Sequence, residues 1–175
     1  MPARLSDALW TTIQQSVPVV CVDVVPVREG PDGLEVGLIR RRFADAGAPV
    51  WCHVGGRVLH GETTAEAVAR HVEETFVGAV VPDLGTDPQP HHVVQWFPSD
   101  VRRGPTFGVD PRKHAVSLCW ALDLGPAPAI RSGGEGDRLA WFPADLASVA
   151  DADLWLGTRH LVRGTSRGAG LVPGG

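Results

Sequence analysis

The chain has 175 residues, a net charge of −4 and no apolar run that approaches membrane-spanning length. This length suits one domain, and the charge lacks the basic excess of a nucleic-acid-binding surface. Cys21, Cys52 and Cys119 are scattered without C-x-x-C spacing, so they indicate neither a disulfide framework nor a zinc site. We therefore expect a cytoplasmic protein that acts on a small molecule, not on nucleic acid or a membrane.

The first part of the chain predicts a helix followed by two paired strands. Residues 5–15 place apolar side chains at helical spacing. Residues 19–27 are β-branched and almost unbroken, which predicts a central strand buried on both faces. Turn residues at 29–33 then lead into a second strand at 34–42. Asp23 interrupts the first strand, and because a buried carboxylate needs partners, it is either tied to a local donor or directed into a site.

The rest of the chain predicts one well-marked helix among further strands. This helix covers 63–77 and begins with a T-x-x-E capping box. The loop at 99–113 is long and basic, and long loops in compact domains are often functional. We predict a single domain over 1–163 and a flexible tail over 164–175, where no core-forming pattern remains. The other predicted elements are strands at 50–54, 91–98, 114–124 and 139–142 and helices at 144–149 and 152–163.

The stretch from Gly56 to Gly78, GRVLHGETTAEAVARHVEETFVG, carries the most specific pattern in the chain. Gly56, Glu62 and Arg70 follow the spacing G-x5-E-x7-R, which spans a glycine loop and the first turns of the helix. Backbone amides in such loops, followed by a helix, commonly face phosphate groups. The stretch therefore indicates a phosphate-handling loop and helix.

One sector of this helix holds the candidate functional side chains. At about 100° per residue, His71, Glu74 and Thr75 fall close together on the helix surface. A carboxylate there is a candidate ligand for a phosphate-bound metal. The alternative interpretation is a solvated ion-pair ladder of Glu66, Arg70 and Glu74, which stabilises a helix by only tenths of a kcal/mol per pair.

Glycines and arginines before the helix predict an anion site. Gly55 and Gly56 permit a tight turn whose carbonyl or amides face metal and phosphate. Arg57 is placed for a bidentate phosphate contact, although a plain turn beside a solvated arginine is the alternative. Arg40 and Arg41 stand near the end of a strand that can reach the same pocket, or face solvent. Basic clusters occur at 40–42, 102–103 and 112–113, and a phosphorylated small molecule needs only such a patch.

Two segments outside this stretch supply further candidates. The loop at 131–137 holds Glu135 and Asp137 among glycines that allow the backbone to approach a ligand. Among the histidines at strand starts, His114 is the best candidate for a catalytic base because it opens a central strand beside Lys113. An ordinary, partly exposed polar residue is the alternative for each.

The stretch at 56–78 resembles the Nudix box, G-x5-E-x7-R-E-U-x-E-E-x-G-U, in which U is a bulky aliphatic residue. It departs from that pattern at His71, Thr75 and Val77, which replace Glu, Glu and Gly. The surrounding segments SVPVVCVDVV, HAVSLCWALDL and GDRLAWFPADLASVADADLWLGTRHLV resemble the GDP-mannose mannosyl hydrolase branch. The resemblance implies an α/β fold, a Nudix-type α/β/α sandwich with a mixed β-sheet in a single domain.

The resemblance also implies a metal site for Mg²⁺ or Mn²⁺. In that branch the metal is held by a carbonyl at the glycine pair, one helix carboxylate and a polar loop residue. Gly55 and Glu135 match two of these places, whereas the helix carboxylate falls at Thr75, which leaves His71 or Glu74 to compensate. Further implied roles are a brace between Glu62 and Arg70, and contacts with sugar and diphosphate at Asp23, Arg40, Arg41 and Arg57.

Three functions are compatible with these residues. The first is a Mg²⁺-assisted hydrolase of a nucleoside diphosphate linked to another group, such as a sugar, with Glu74, His71 and His114 as candidate catalytic residues. The second is a nucleotide-binding or regulatory protein in which the missing acids have abolished hydrolysis. The third is an isomerase or tailoring enzyme that uses Cys52 or Cys119. The expected partner is a small-molecule nucleoside diphosphate derivative, and the related hydrolases imply a homodimer.

Overall fold

The computed structural model describes residues 5–43, 47–99, 107–126 and 128–173, and all structural statements concern these ranges. The helices are α1 (Asp7–Ser16), α2 (Thr64–Thr75) and α3 (Thr158–Gly168), with a 3-10 turn at Asp151–Asp153. The strands are β1 (Val19–Gly30), β2 (Gly33–Arg41), β3 (Val50–Cys52), β4 (Val54–Arg57), β5 (Phe76–Val77), β6 (His92–Phe97), β7 (Gly108–Val109), β8 (Ala115–Leu122), β9 (Ala129–Ile130) and β10 (Arg138–Pro143).

Eight of the strands within the described ranges form one mixed sheet, in the order β10-β2-β1-β8-β6-β7, with β3 beside β2 and β4 beside β1. Strand β1 is central: it runs parallel to β8 and antiparallel to β2 and β4. Residues 21–27 of β1 are all buried. The prediction of a central strand buried on both faces is therefore confirmed.

The sheet separates two hydrophobic cores. Because successive side chains of a strand point to opposite faces, Val25 joins the cluster that contains Leu161 of α3. Its neighbour Val24 joins the cluster that contains Val72 of α2. Each fully buried valine or leucine stabilises the fold by about 1.5–3 kcal/mol. The result is the predicted α/β/α sandwich in one domain.

Helix α2 begins as its sequence predicts. Thr63 Oγ1 accepts from the Glu66 amide at 3.2 Å, and Glu66 Oε2 accepts from the Thr63 amide at 2.7 Å, which completes the capping box. The face turned to the sheet includes His71 and Thr75 together with Val72. His71 and Thr75, which stand where the Nudix box has glutamates, are therefore packed inside the domain.

The C-terminal segment corrects the predicted tail. Helix α3 continues to Gly168, and Thr165 is fully buried. A Cβ at Gly164 would lie 2.3 Å from His92 Nε2, and one at Gly168 would meet the His91 carbonyl even more closely. The small residues that suggested flexibility instead let α3 approach β6, so the domain extends beyond residue 163.

Two further predictions are corrected or lie outside the described chain. The helix expected at 144–149 is a pair of turns, in which the Asp145 carboxylate accepts from the Ala147 amide at 2.9 Å. Residues 100–106 of the predicted loop, with the basic pair at 102–103, are outside the described ranges. Within those ranges, the helices are all too short or too polar to cross a bilayer.

Candidate functional site

A cleft of about 590 Å³, here called the outer cleft, lies between α1, β4 and α2. It adjoins a smaller inner cavity of about 60 Å³, with which it shares five lining residues, Arg41, Gly55, Gly56, Arg112 and Lys113. The outer cleft brings together eight of the residues singled out in the sequence, namely Arg41, Gly55, Gly56, Arg57, Arg70, His71, Glu74 and Glu135. The glycine loop and the following helix therefore face one space.

An ion pair fixes the loop that precedes α2. Arg70 Nε donates to Glu62 Oε1 at 2.7 Å, and Arg70 Nη2 donates to Glu62 Oε2 at 2.9 Å. The same Nη2 donates to the Arg57 carbonyl at 3.0 Å, while Glu62 Oε2 accepts from the Leu59 amide at 2.8 Å. The pair implied by the resemblance is present, and it holds the backbone of Arg57 at the edge of the outer cleft.

Replacing Glu62 by glutamine is expected to lower the free energy of unfolding at pH 7 by roughly 1–3 kcal/mol, since a charge-assisted pair is lost. The hydrogen bonds from Arg70 lower the pKa of Glu62 below its ordinary value of 4.5. A depressed carboxylate pKa stabilises the fold above that value and loses the contribution as the pH falls through the folded pKa. The difference between wild type and Glu62→Gln in urea denaturation should therefore shrink below about pH 4.5. Glu29→Gln, at an exposed carboxylate, is the control, and a pH-independent difference would contradict the prediction.

His71 forms part of the wall between α2 and β4. It is only 6% exposed, and its Nε2 lies 3.2 Å from the Arg57 carbonyl. Because a carbonyl only accepts, the contact with Arg57 is a hydrogen bond in the tautomer protonated at Nε2, and Nδ1 lies 3.9 Å from Glu74 Oε2. A Cβ at Gly56 would lie 2.7 Å from His71 Cε1, so the imidazole requires glycine there. Glu74 stands at the rim of the outer cleft with its side chain 56% exposed.

The outer cleft has an excess of cationic side chains. The Arg57 guanidinium lies 4.2 Å from the centre of the Trp10 ring, a cation–π contact. Among the described residues Arg57 has no carboxylate partner, whereas Arg41 pairs with Glu135 at 3.0 Å. The charged residues that line this cleft are the cations Arg41, Arg57, Arg70, Arg112 and Lys113 and the carboxylates Asp7, Glu74 and Glu135.

The inner cavity ends at a buried carboxylate. Asp23 is 4% exposed, and its Oδ1 lies 3.5 Å from His53 Nε2. Gly55 stands beside it at φ +151°, and a Cβ there would lie 2.3 Å from Asp23 Oδ1 and 2.2 Å from the Val22 carbonyl. Gly55 and Gly56 are part of strand β4, not a tight turn, so close packing against β1 explains the glycine pair.

His53 makes the end of the inner cavity polar without adding positive charge. Its ring stacks on Trp96 with centroids 5.6 Å apart, and its Nδ1 is 3.5 Å from Thr158 Oγ1. Burial lowers the pKa of His53, although Asp23 acts in the opposite direction. The imidazole is therefore neutral near pH 7. A cavity of about 60 Å³ holds about two waters or the hydroxyl groups of a ligand.

Two predicted residues lie away from both spaces. Arg40 Nε pairs with Asp137 at 2.9 Å, on the opposite face of β2 from Arg41. His114 stacks on Phe97, with ring centroids 4.6 Å apart, and lines an adjoining depression that shares Arg112 and Lys113 with both spaces. Arg40 and His114 therefore line neither the outer cleft nor the inner cavity, and the interpretation that placed Arg40 in the pocket is wrong.

Residues 1–167 match the protein family described as "Domain of unknown function (DUF4916)". The chain belongs to this family. No curated protein matches the chain.

Solved structures match the DUF4916 chain over most of its length. A possible asymmetric diadenosine tetraphosphate hydrolase from Jonesia denitrificans is 29% identical, covers 91% of this chain and 99% of its own, and has a TM-score of 0.74. The NUDIX domain of Shewanella oneidensis NrtR, complexed with ADP ribose, is 19% identical over 93% and 98% of the two chains, with a TM-score of 0.58. A MutT NUDIX hydrolase from Burkholderia pseudomallei is 21% identical over 85% and 98%, with a TM-score of 0.58. The Nudix-type fold is thus confirmed.

The acidic residues of the DUF4916 chain do not fit the implied Mg²⁺ or Mn²⁺ site. Among its described residues, no three His, Cys, Asp or Glu side chains form a group that could hold a metal ion. Glu74 pairs with Arg70 at 3.4 Å and Glu135 with Arg41 at 3.0 Å. The position of the second helix acid is the buried Thr75. A divalent cation needs several oxygen ligands, and here each of the two carboxylates lies within 3.4 Å of an arginine.

The cysteines do not support the third function. Burial raises the pKa of Cys21 and of Cys52 to about 12 and also raises the pKa of Cys119. The thiolate is the reactive form of cysteine. At neutral pH these side chains are protonated and packed, as small apolar groups are.

Sequence reasoning missed His53 and Asp110, and it identified Arg112 and Lys113 only as a basic cluster. Asp110 is 5% exposed and lies 2.8 Å from Arg112 and 3.8 Å from Lys113, which sets both cations at the junction of the two spaces. The available signals were an acid within the run D-P-R-K and a histidine two residues before the glycine pair.

Proposed function

We propose that this protein binds a nucleoside diphosphate linked to another group, such as a nucleotide sugar, with the diphosphate in the outer cleft. The observation that carries the proposal is the set of cations around that cleft, above all Arg57, which has no carboxylate partner among the described residues. Guanidinium groups bind phosphate oxygens through paired, charge-assisted hydrogen bonds. A volume of about 590 Å³ is typical of small-molecule sites.

The inner cavity suits hydroxyl groups of the linked group. Asp23 accepts hydrogen bonds, and neutral His53 either donates or accepts, so hydroxyl groups that enter the cavity would find partners. A desolvated carboxylate without such partners is unfavourable. The resemblance to the GDP-mannose mannosyl hydrolases and the ADP ribose bound to the Shewanella domain support a sugar as the linked group.

Cationic side chains would neutralise the diphosphate in place of a divalent metal. Arg57 approaches from β4, and Arg112 and Lys113, which share the single carboxylate of Asp110, approach from the segment before β8. Arginine remains charged at all physiological pH values. Binding should therefore persist without metal, which is the property expected of the nucleotide-binding or regulatory function.

Hydrolysis is the second candidate, and the relation of His71 to Glu74 favours it. His71 Nδ1 lies 3.9 Å from Glu74 Oε2. In the neutral tautomer protonated at Nε2, Nδ1 would take a proton from an attacking water, and the Glu74 carboxylate would stabilise the resulting imidazolium. The matched structures from Jonesia and Burkholderia are described as hydrolases.

Calorimetric titration with GDP-mannose and with ADP-ribose separates these functions. In EDTA, at least one of the two ligands is expected to bind saturably, and excess Mg²⁺ should change its Kd by less than about threefold, or under 1 kcal/mol. Binding that appears only with Mg²⁺ would contradict the proposed role of the arginines. Release of a nucleotide product under either condition would establish the second candidate, and Glu74→Gln should then abolish turnover without loss of binding.

A further inference from the structure

A second groove lies at the other side of the domain, where α3 packs beside β6 and β7. Its volume is about 880 Å³, and it shares no lining residue with the outer cleft or the inner cavity. Volumes of this order accommodate a small organic ligand. We call this space the α3 groove, and the proposed function does not use it.

The α3 groove is basic on a protein that carries a net charge of −4. Among the described residues its ionisable lining consists of two histidines and three arginines, without a carboxylate: His92, Arg159, His160, Arg163 and Arg167. A basic lining on an acidic protein indicates an anionic ligand, because clustered cations concentrate negatively charged molecules at their surface.

The three arginines of the groove do not have the same role. Arg159 Nε donates to Asp151 at 2.7 Å, and its other nitrogens donate to the Leu146 and Val149 carbonyls, so it holds the preceding turns. Arg163 and Arg167 stand one and two turns further along the same helix face. Neither has a carboxylate partner among the described residues, so both remain available to a phosphate.

Apolar side chains stand beside these charges. Leu156 is 50% exposed and Phe107 is 37% exposed, and both line the groove. Large apolar side chains exposed next to unpaired arginines are typical of a site whose ligand has a charged part and a planar or apolar part.

The packing of α3 makes the groove a fixed feature. Gly164 and Gly168 let the helix lie against His92 and the preceding residue with no room for a side chain between them. The rings of His92 and His160 are consequently 5.9 Å apart at the floor. Arg163 and Arg167 therefore project from a helix whose position is set by close contacts.

We infer that the α3 groove is a second ligand site, which binds a phosphate monoester that carries an aromatic ring, with the phosphate at Arg163 and Arg167 and the ring against Phe107 and Leu156. The class is that of a mononucleotide. A ligand bound there contacts α3 and β6 without entering the outer cleft, so the two sites would be occupied independently.

Methyl NMR of Leu156 tests this inference with AMP and inorganic phosphate as the probes. AMP is expected to shift the Leu156 methyl signals saturably and to bind more tightly than phosphate. The double variant Arg163→Gln/Arg167→Gln should lower the affinity for AMP at least about tenfold, because charge-assisted hydrogen bonds are lost. Arg57→Gln should leave this response unchanged.

The matched control is Arg42→Gln/Arg138→Gln, which also removes two positive charges, but near the opposite edge of the sheet, at β10. Unchanged AMP affinity in this control supports the inference. Three results would overturn it: no saturable shift at Leu156, an equal loss in the control variant, or equal affinity for AMP and phosphate.

Discussion

Replacing Gly55 by alanine is expected to destabilise the protein by roughly 2–6 kcal/mol, the sum of overpacking and backbone strain of about 1–3 kcal/mol each. The new Cβ would lie 2.2 Å from the Val22 carbonyl and 2.3 Å from Asp23 Oδ1, and the first of these atoms belongs to the backbone. Gly55 also has φ +151°, a backbone conformation that residues other than glycine rarely adopt. A loss of this size is a large part of the roughly 5–15 kcal/mol that stabilises a typical domain.

Gly33→Ala separates the two causes. Gly33 has φ +121°, but no heavy atom lies within 4 Å of the place that a Cβ would take, so its replacement introduces the backbone strain alone. Urea denaturation of both variants should therefore show the larger fall in the free energy of unfolding for Gly55→Ala. Equal losses would mean that the close approach of β4 to β1 at Asp23 does not constrain this position.

Replacing Arg57 by glutamine is expected to weaken binding of the nucleoside diphosphate derivative by roughly 10–150-fold. The reason is the loss of charge-assisted hydrogen bonds worth about 1.5–3 kcal/mol. Since Arg57 has no carboxylate partner among the described residues, its removal leaves no buried acid without a counter-ion. The free energy of unfolding should change by only about 0.5–1 kcal/mol, the usual contribution of a cation–π contact.

Arg28→Gln is the matched control for this prediction. The Arg28 guanidinium also lies 4.2 Å from a tryptophan ring centre, that of Trp141, but it lines neither space of the site. Calorimetric titration should show wild-type affinity for Arg28→Gln. A similar loss in both variants would attribute the effect to overall charge, and no loss in Arg57→Gln would remove Arg57 from the site.

The parts of the fold predicted correctly are those set by local pattern. Val19–Gly30 carries a run of β-branched residues that only a central strand buries, and Thr63 with Glu66 marks the start of α2 whatever surrounds it. Gly164 and Gly168 were misread because a glycine that permits close packing looks, in sequence, like one that permits flexibility. For the same reason, Gly55 and Gly56 were predicted to form a tight turn, whereas they belong to strand β4 and pack closely against β1.

The sequence predicted as a group only those site residues that lie within one continuous stretch of the chain. Arg57 and His71 belong to the recognisable stretch at 56–78, and they line the same cleft. His53, Asp110 and Asp23 line the inner cavity from segments that are distant in sequence, and no local pattern predicts that they share it. Alternation along a strand places adjacent arginines on opposite faces, but it does not decide which of the two faces the cleft.

A crystal structure of the protein soaked with ADP-ribose in the presence of Mg²⁺ tests the central claim most directly. The diphosphate is expected in the outer cleft, in hydrogen-bond contact with Arg57 and with Arg112 or Lys113, and without a metal ion between it and the protein. A metal held by Glu74 and Glu135, or a diphosphate bound away from Arg57, would contradict this expectation.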